Sequence, residues 1–144
     1  MIQYNFSTKQ LTDTEVQEIN ILLQVLHPGT TIATPESLAL VQKNSYFLLA
    51  RDTEMADKII GMGTLAPVYK PIGLTGWIED VVVDEQHQRQ GIGRTISQKL
   101  IDKAKELKMA KIDLTSQPYR EAANKLYQSL GFKQRNTNVY RVEL

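Results

Sequence analysis

A glycine-rich turn in the middle of the chain has residue types and a spacing that suit anion binding. An apolar run at residues 81–83 leads into the polar residues 84–90, and Gly91 and Gly93 follow. Glycine destabilises a helix interior, so two glycines at a helix start indicate that a ligand comes close to the backbone. Unpaired N–H groups at a helix start attract phosphate. The turn also carries three donor side chains, Gln88, Arg89 and Arg94.

The turn does not match two common phosphate-binding motifs. The dinucleotide motif G-x-G-x-x-G requires a third glycine, and Ile96 occupies that position. The P-loop requires Lys followed by Ser or Thr after its last glycine, where this chain has Arg94 and Thr95. Two interpretations of the Q-x-x-G-x-G pattern at 88–93 remain: a pyrophosphate site, or a glycine-rich helix start that binds nothing. His87, beside this pattern, either reaches a phosphate or is solvated, and we expect it to be solvated.

The composition excludes several other kinds of site. The 144 residues include no cysteine, which excludes disulfides, thiolate metal sites and cysteine nucleophiles. There are two histidines and no H-E-x-x-H motif, so we expect no metal. A formal net charge of +1 gives no general attraction to nucleic acid or membrane. The polar N-terminal segment and the lack of a long apolar run predict a cytoplasmic protein.

The elements that must position this turn are predicted from hydrophobic periodicity and from cap signals. Thr12 and Glu15 form a candidate capping box, and Pro35 follows Thr34 as at a helix start. The predicted elements before the turn are a strand at 2–6, a helix from 12 to 27, a short helix from 35 to 43, two hairpin strands at 46–51 and 58–65, a loop at 66–76 rich in Pro and Gly, and a strand at 77–83.

The elements after the turn complete one domain. They are a helix at 90–108, a strand at 112–114, a helix at 119–130 that Gly131 ends, and two short strands at 132–134 and 139–142. The strand–helix–strand unit at 77–115 predicts a right-handed crossover between parallel strands. We therefore predict a single α/β (mixed α+β) domain over residues 1–144. Its central mixed, twisted sheet would have six to seven strands, with about four helices.

Two segments of the chain resemble the GNAT N-acetyltransferase superfamily. The pattern at 88–93, directly after a buried strand, resembles the coenzyme A pyrophosphate motif of that family. Residues 124–132, N-K-L-Y-Q-S-L-G-F, resemble its late helix, which ends L-Y-x-x-L-G-F, and the element order matches over essentially the full length. Residues 77–93 are also similar to glucosamine-phosphate N-acetyltransferases, whereas the substrate loop is not. The end of the chain is more similar to small GNAT proteins without an assigned substrate.

The resemblance implies a GNAT-like fold and acetyl-CoA as cosubstrate. In the family, two splayed strands expose backbone that pairs with the pantetheine arm, and helix-start amides bind the pyrophosphate. The coenzyme-binding residues implied here are Val81, Val83, Gln88, Arg89, Gln90, Gly91, Ile92, Gly93, Arg94, Thr95 and Asn124. Many relatives have Asn where this chain has Arg120. Asn124, one turn later, either takes over that coenzyme contact or is a surface residue.

The resemblance also implies two catalytic residues, Tyr127 and Glu79. Tyr127 matches the family's general-acid tyrosine, and a phenol of pKa about 10 can protonate a thiolate whose conjugate acid has a pKa of about 8.5. The alternative is a core tyrosine. Several relatives place a glutamate base on the strand that holds Glu79. Since neighbouring strand residues point to opposite faces, we expect only one of Glu79 and Asp80 to face the substrate. The alternative is a pair of carboxylates that hold the substrate or a basic neighbour.

These features predict an acetyl-CoA-dependent N-acetyltransferase acting on a primary amine of a small molecule. Transfer would be by direct attack in a ternary complex, because no cysteine is present to carry the acetyl group. Two alternatives are an acceptor amine on a protein or an aminoacyl-RNA, and a non-catalytic coenzyme A-binding sensor. By resemblance, residues 27–31 would lie at the acceptor pocket, and C-terminal edge strands would permit a homodimer.

Overall fold

The described part of the chain, residues 1–29 and 32–144 of a computed structural model, forms one sheet with helices on both faces. Residues 30 and 31, part of the segment predicted at the acceptor pocket, lie outside it. The elements are β1 (Ile2–Phe6), α1 (Asp13–Leu26), α2 (Pro35–Asn44), β2 (Tyr46–Asp52), β3 (Lys58–Lys70), β4 (Gly73–Val83), α3 (Ile92–Glu106), β5 (Ile112–Asp113) and α4 (Glu121–Ser129), with short 3₁₀ turns at Thr53–Met55 and Glu85–His87.

The first two helices begin where their cap residues predict. The Thr12 hydroxyl accepts a hydrogen bond from the Glu15 N–H at 3.2 Å, and the Glu15 carboxylate accepts one from the Thr12 N–H at 2.7 Å. Thr34 and Ser37 form the same reciprocal pair ahead of α2, at 3.1 and 2.9 Å. Each box satisfies two N–H groups that the helix itself leaves unpaired.

The sheet has the order β1-β2-β3-β4-β5. The first three pairings are antiparallel. The fourth is parallel and joins Gly76 to Ile112 and Trp77 to Asp113. The prediction of parallel strands on either side of the crossover helix is therefore confirmed.

Two apolar clusters cover the two faces of the sheet. Helices α1 and α2 pack on one face, against alternate residues such as Leu49, Met62 and Val82. Helix α3 packs on the other face through Ile96 and its apolar neighbours. The approach of α3 is close, since a Cβ built on Gly63 would lie 2.7 Å from Ile96 Cγ2. The sheet is therefore the middle of three layers.

The prediction of a loop at 66–76 is wrong, because β3 and β4 continue through this segment as a long hairpin. Pro67 pairs with Gly76, and the two strands stay in register to Lys70 and Gly73. The other edge of β3 pairs with β2 only as far as Leu65. Beyond that point β3 has a partner on one side, which is where a strand tolerates a proline that lacks an N–H.

The sheet has five strands in the described residues, fewer than the six to seven predicted, while the fold class is confirmed. Residues 132–134 and 139–142, predicted as strands, form no strand. The side chains of Val139, Tyr140 and Val142 are 73 to 87% exposed. A strand keeps its register where one face is buried, and residues 139–142 are all exposed.

Candidate active site

The edge of β4 that faces β5 is open along half its length. The two strands pair only at Gly76 and Trp77. β5 ends at Asp113, whereas β4 continues to Val83. Within the described residues, the backbone of 78–83 therefore has no strand partner on this side. An extended ligand with N–H and C=O groups can pair with such an edge.

A β-bulge interrupts β4 at its acidic residues. On the side of β3, Met62 pairs with Val82 and Thr64 with Glu79, so β4 has one residue more than β3 between these pairs. Asp80 takes up the extra residue with φ of 53°, a left-handed conformation that is costly outside glycine. The bulge breaks the alternation of side chains. Glu79 and Asp80 both line one cavity, whereas the alternation of a regular strand predicts that only one of them faces it.

This cavity, of about 120 Å³, lies at the bulge between β4, the end of α1 and α4. Besides the two carboxylates it is lined by His27, Arg120 and Tyr127. The His27 Nε2 atom lies 3.5 Å from Asp80 Oδ1. The structure thus brings both sequence-predicted catalytic residues to one cavity, which we call the acceptor cavity.

Tyr127 has the surroundings of a protonated phenol. Burial raises its pKa above the usual 10, against an opposing effect from the Arg120 charge. Its ring packs edge-on against Phe132, with centroids 5.9 Å apart. Its hydroxyl has no hydrogen-bond partner in the described part of the chain, which leaves the O–H available to a ligand.

The pKa of the Glu79 carboxyl is raised as well. Burial, and secondarily the negative charge of Asp80, raise the pKa of the Glu79 carboxyl. A carboxylate whose pKa is raised is a stronger base once it ionises. The bulge therefore creates both the proximity of the two carboxylates and the altered basicity of one of them.

The start of α3 presents unpaired amides to solvent. Gly91 is the N-cap residue, with φ of 79°, and α3 has no side-chain cap. The N–H groups of residues 91–94 therefore lack helical partners, whereas the Thr95 N–H donates to the Gly91 carbonyl. A Cβ built on Gly91 would meet no atom within 4 Å. The predicted amide set thus ends one residue earlier, at Arg94.

The side chains of the turn are less free than their sequence suggests. Gln88 Nε2 donates to the Val83 carbonyl at 3.2 Å, and Arg94 Nη1 donates to Ser129 Oγ at 2.8 Å. The Ile92 side chain is buried in the core, so this residue can offer only its amide. Arg89 and Gln90 are exposed at the turn.

His87 is not solvated as predicted but is 11% exposed and lies between two carboxylates. Its Nδ1 atom lies 2.8 Å from Asp84 Oδ2, and its Nε2 atom lies 3.6 Å from Asp52 Oδ2. The ring therefore fixes the turn to the end of β2. Asp52 is 35 positions from His87 in the sequence, and no local pattern connects the two.

Helix α4 is tied to both neighbouring helices. Arg120, at its N-cap, donates from Nη2 to the Leu26 carbonyl of α1 at 2.7 Å. Ser129, its last residue, accepts from Arg94 of α3. Asn124 donates to the Gln117 carbonyl at 3.0 Å and lines an adjoining cavity of about 760 Å³ beside β5, which shares Tyr127 with the acceptor cavity. The acceptor cavity therefore contains Arg120 and not Asn124.

The described residues include neither a candidate membrane-spanning helix nor a candidate metal-ligand group. Across residues 1–29 and 32–144, no helix has the length and apolar character needed to cross a bilayer. In the same part of the chain, no three histidine, aspartate or glutamate side chains are grouped as metal ligands would be.

Comparisons with known proteins agree with this geometry. The model of the acetyltransferase (GNAT) family matches residues 17–132. A protein from Agrobacterium tumefaciens str. C58, named as an acetyltransferase, superposes with a TM-score of 0.82 at 21% identity, over 98% of this chain and 99% of that chain. Glucosamine-6-phosphate N-acetyltransferase from Arabidopsis thaliana superposes with a TM-score of 0.77 at 18% identity, over 99% of this chain and 98% of that chain. Ribosomal-protein-alanine N-acetyltransferase from Brucella melitensis biovar Abortus superposes with a TM-score of 0.75 at 18% identity, over 100% of this chain and 99% of that chain.

Proposed function

The chain belongs to the GNAT acetyltransferase family, and from this premise we propose that it is an acetyl-CoA-dependent N-acetyltransferase whose acceptor is a primary amine of a small molecule. One observation carries the proposal. A phenol with a raised pKa and a carboxyl with a raised pKa line a single cavity, beside the open edge of β4. These are the general acid and the general base that acyl transfer to an amine requires.

The donor side of the site fits coenzyme A in two places. The open backbone of 78–83, with Val81 and Val83 in it, suits the amide groups of a pantetheine arm. The unpaired amides of 91–94 suit a pyrophosphate, and Arg89 adds an exposed positive charge. A Cβ built on Gly93 would lie 3.6 Å from Val83 Cγ2, so the helix start and the open strand are adjacent. Bound acetyl-CoA supplies the activated acetyl group.

Two residues of the cavity serve the two proton transfers of the reaction, one from the ammonium group and one to the leaving thiolate. An alkylammonium is almost fully protonated near neutral pH, and the Glu79 carboxylate accepts its proton, directly or through water. The Tyr127 hydroxyl holds a proton where the thiolate leaves. A backbone N–H near Val81, on the unpaired edge, polarises the thioester carbonyl. Because the chain has no cysteine, transfer proceeds directly between donor and acceptor.

The size of the cavity agrees with a small acceptor. A volume of about 120 Å³ suits the amine end of a small molecule. A protein amine is the alternative, since one structurally similar protein is named for ribosomal-protein alanine. A sensor without turnover is disfavoured, because it would not need an acid and a base at one cavity.

Calorimetric titration with acetyl-CoA tests the donor site first. We expect micromolar binding by the wild type and its loss in Gly91→Glu, which puts bulk and negative charge beside the unpaired amides. The matched control is Gly73→Glu, because Gly73 also has a positive φ and open surroundings but lies in the β3–β4 hairpin. Absence of binding by folded wild-type protein would refute the acetyl-CoA assignment. Thiol release with a panel of amines then separates an enzyme from a sensor.

A further inference from the structure

The acceptor cavity contains a guanidinium group that the acetyl-transfer chemistry does not use. Arg120 lines the cavity together with Glu79, Asp80 and Tyr127. Its Nη2 atom donates to the carbonyl of Leu26, the last residue of α1, at 2.7 Å. The end of a helix carries partial negative charge, so this contact orients the guanidinium and does not neutralise it.

The guanidinium has no anionic partner in the described part of the chain. No aspartate or glutamate oxygen in residues 1–29 or 32–144 lies within 4.0 Å of its nitrogen atoms. The side chain is half-buried, and the Tyr119 ring lies 5.9 Å from its Cζ atom. A guanidinium has five N–H donors, and the Leu26 carbonyl uses one of them. A partly buried charge of this kind favours a carboxylate or phosphate, which arginine binds with two parallel hydrogen bonds.

The charges of the cavity are of both signs. The bulge contributes the carboxylates of Glu79 and Asp80, which attract an ammonium group, and the N-cap of α4 contributes the guanidinium. A ligand that pairs with both carboxylates and with the guanidinium needs an amine and an anionic group. Because the cavity is small, the two groups must be only a few bonds apart. An amine without an anion would leave Arg120 half-buried and unpaired beside it.

Resting on the function proposed above, we propose that the acceptor is a primary amine that also bears a carboxylate or a phosphate, and that Arg120 binds this anion. Arg120 is thereby a specificity-determining residue of the acceptor site. The open edge of β4 and the unpaired amides at the start of α3, which form the proposed donor site, do not include Arg120. If Arg120 only ties α4 to α1, its replacement should affect acceptors with and without an anionic group equally.

Thiol release with matched acceptors separates these roles. Short alkylamines are compared with the amino acid and the aminoalkyl phosphate of the same chain length. For the wild type we expect kcat/KM about 10- to 100-fold higher for an anionic acceptor than for its alkylamine, as one charge-assisted contact provides. The ratio of the carboxylate to the phosphate identifies the anion. Equal use of the alkylamine would overturn the proposal.

Variants at Arg120 provide the second test. In Arg120→Gln we expect KM for the anionic acceptor to rise about 10- to 100-fold, with KM for the alkylamine and the calorimetric Kd for acetyl-CoA unchanged. Arg120→Lys should restore part of the loss, since it keeps the charge. Lys125→Gln, an exposed position on the same helix, is the matched control. An equal rise in KM for both acceptors would show a structural role and refute the anion site.

Failure of the proposed function can be distinguished from failure of the anion site. If wild-type protein binds acetyl-CoA but releases thiol with no amine, acetyl transfer to a small amine is wrong. The anion site is then tested by calorimetry, with the same amino acids and aminoalkyl phosphates added to protein saturated with coenzyme A. Binding that Arg120→Gln abolishes would support the site without turnover, and absence of binding would overturn it.

Discussion

Replacement of Tyr127 by phenylalanine removes one oxygen from the acceptor cavity and keeps the ring. The ring provides the edge-on contact with Phe132. The hydroxyl makes no hydrogen bond within the described residues. We therefore expect the free energy of unfolding to change by less than about 0.5 kcal/mol, as for a substitution that removes no packing and no bond.

The catalytic effect of this substitution should be much larger. A positioned general acid contributes roughly 10²- to 10⁴-fold to a rate, which corresponds to about 2.7–5.5 kcal/mol of activation free energy. Because burial raises the pKa of Tyr127, its phenol stays protonated at neutral pH and no part of this contribution is lost to ionisation. We expect kcat to fall by that factor, with the Kd for acetyl-CoA unchanged.

The assay is thiol release at saturating acceptor, with thermal unfolding and calorimetry on the same samples. Tyr69→Phe is the control, since Tyr69 is 81% exposed and lies in the β3–β4 hairpin. A Tyr127→Phe enzyme with kcat within about threefold of wild type would refute the general-acid role, because no acid catalyst contributes so little. Lower stability of the variant would instead contradict the absence of a hydroxyl contact.

Three further predictions concern the two carboxylates of the bulge and a buried hydroxyl. If Glu79 is the proposed base, its carboxylate is lost as the pH falls through its raised pKa. Glu79→Gln should then lower kcat/KM by roughly 10²-fold and remove the acidic limb of the pH profile. Asp80→Asn should shift that limb to lower pH, because the neighbouring negative charge is gone; an unmoved limb would contradict this assignment. Ser97 Oγ is fully buried in α3 without a hydrogen-bond partner in the described residues, so Ser97→Ala should raise the free energy of unfolding by about 1–2 kcal/mol. Urea unfolding measures this, and a destabilised variant would show that the hydroxyl is bonded.

Local sequence signals predicted the elements that depend on neighbouring residues. The capping box of Thr12 with Glu15 was visible in the sequence, and so was the start of α2 at Pro35. The box that Thr34 forms with Ser37 was not predicted, because serine replaces the Glu or Gln that is typical of this motif. The helix start at Gly91 was also visible, because glycine has a conformational reason to occur there. The hairpin at 66–76 was missed since its Pro and Gly residues are typical of loops, and only the missing β2 partner makes Pro67 compatible with a strand.

Features of the site that depend on distant pairings could not be predicted. Asp80 adopts a positive φ, which aspartate tolerates better than most residue types. Most aspartates do not adopt it, so the residue type alone does not mark the bulge. The environment of His87 depends on Asp52, from another strand. The hydrogen bond from Arg120 to Leu26 joins helices at opposite ends of the chain. Each of these contacts requires the assembled sheet, and no pattern of neighbouring residues encodes it.

The link between α1 and α4 also bears on how the protein acquires activity during synthesis. Leu26 and Arg120 are 94 residues apart, so the acceptor cavity is closed by a helix that the ribosome makes long after it has made α1. The strands β1 to β4 and the helices α1 to α3 precede it and contain most of the buried core. Domains of a nascent chain can fold as their segments emerge. Chains that stop before residue 120 would therefore bury most of their apolar surface and still lack a complete acceptor site.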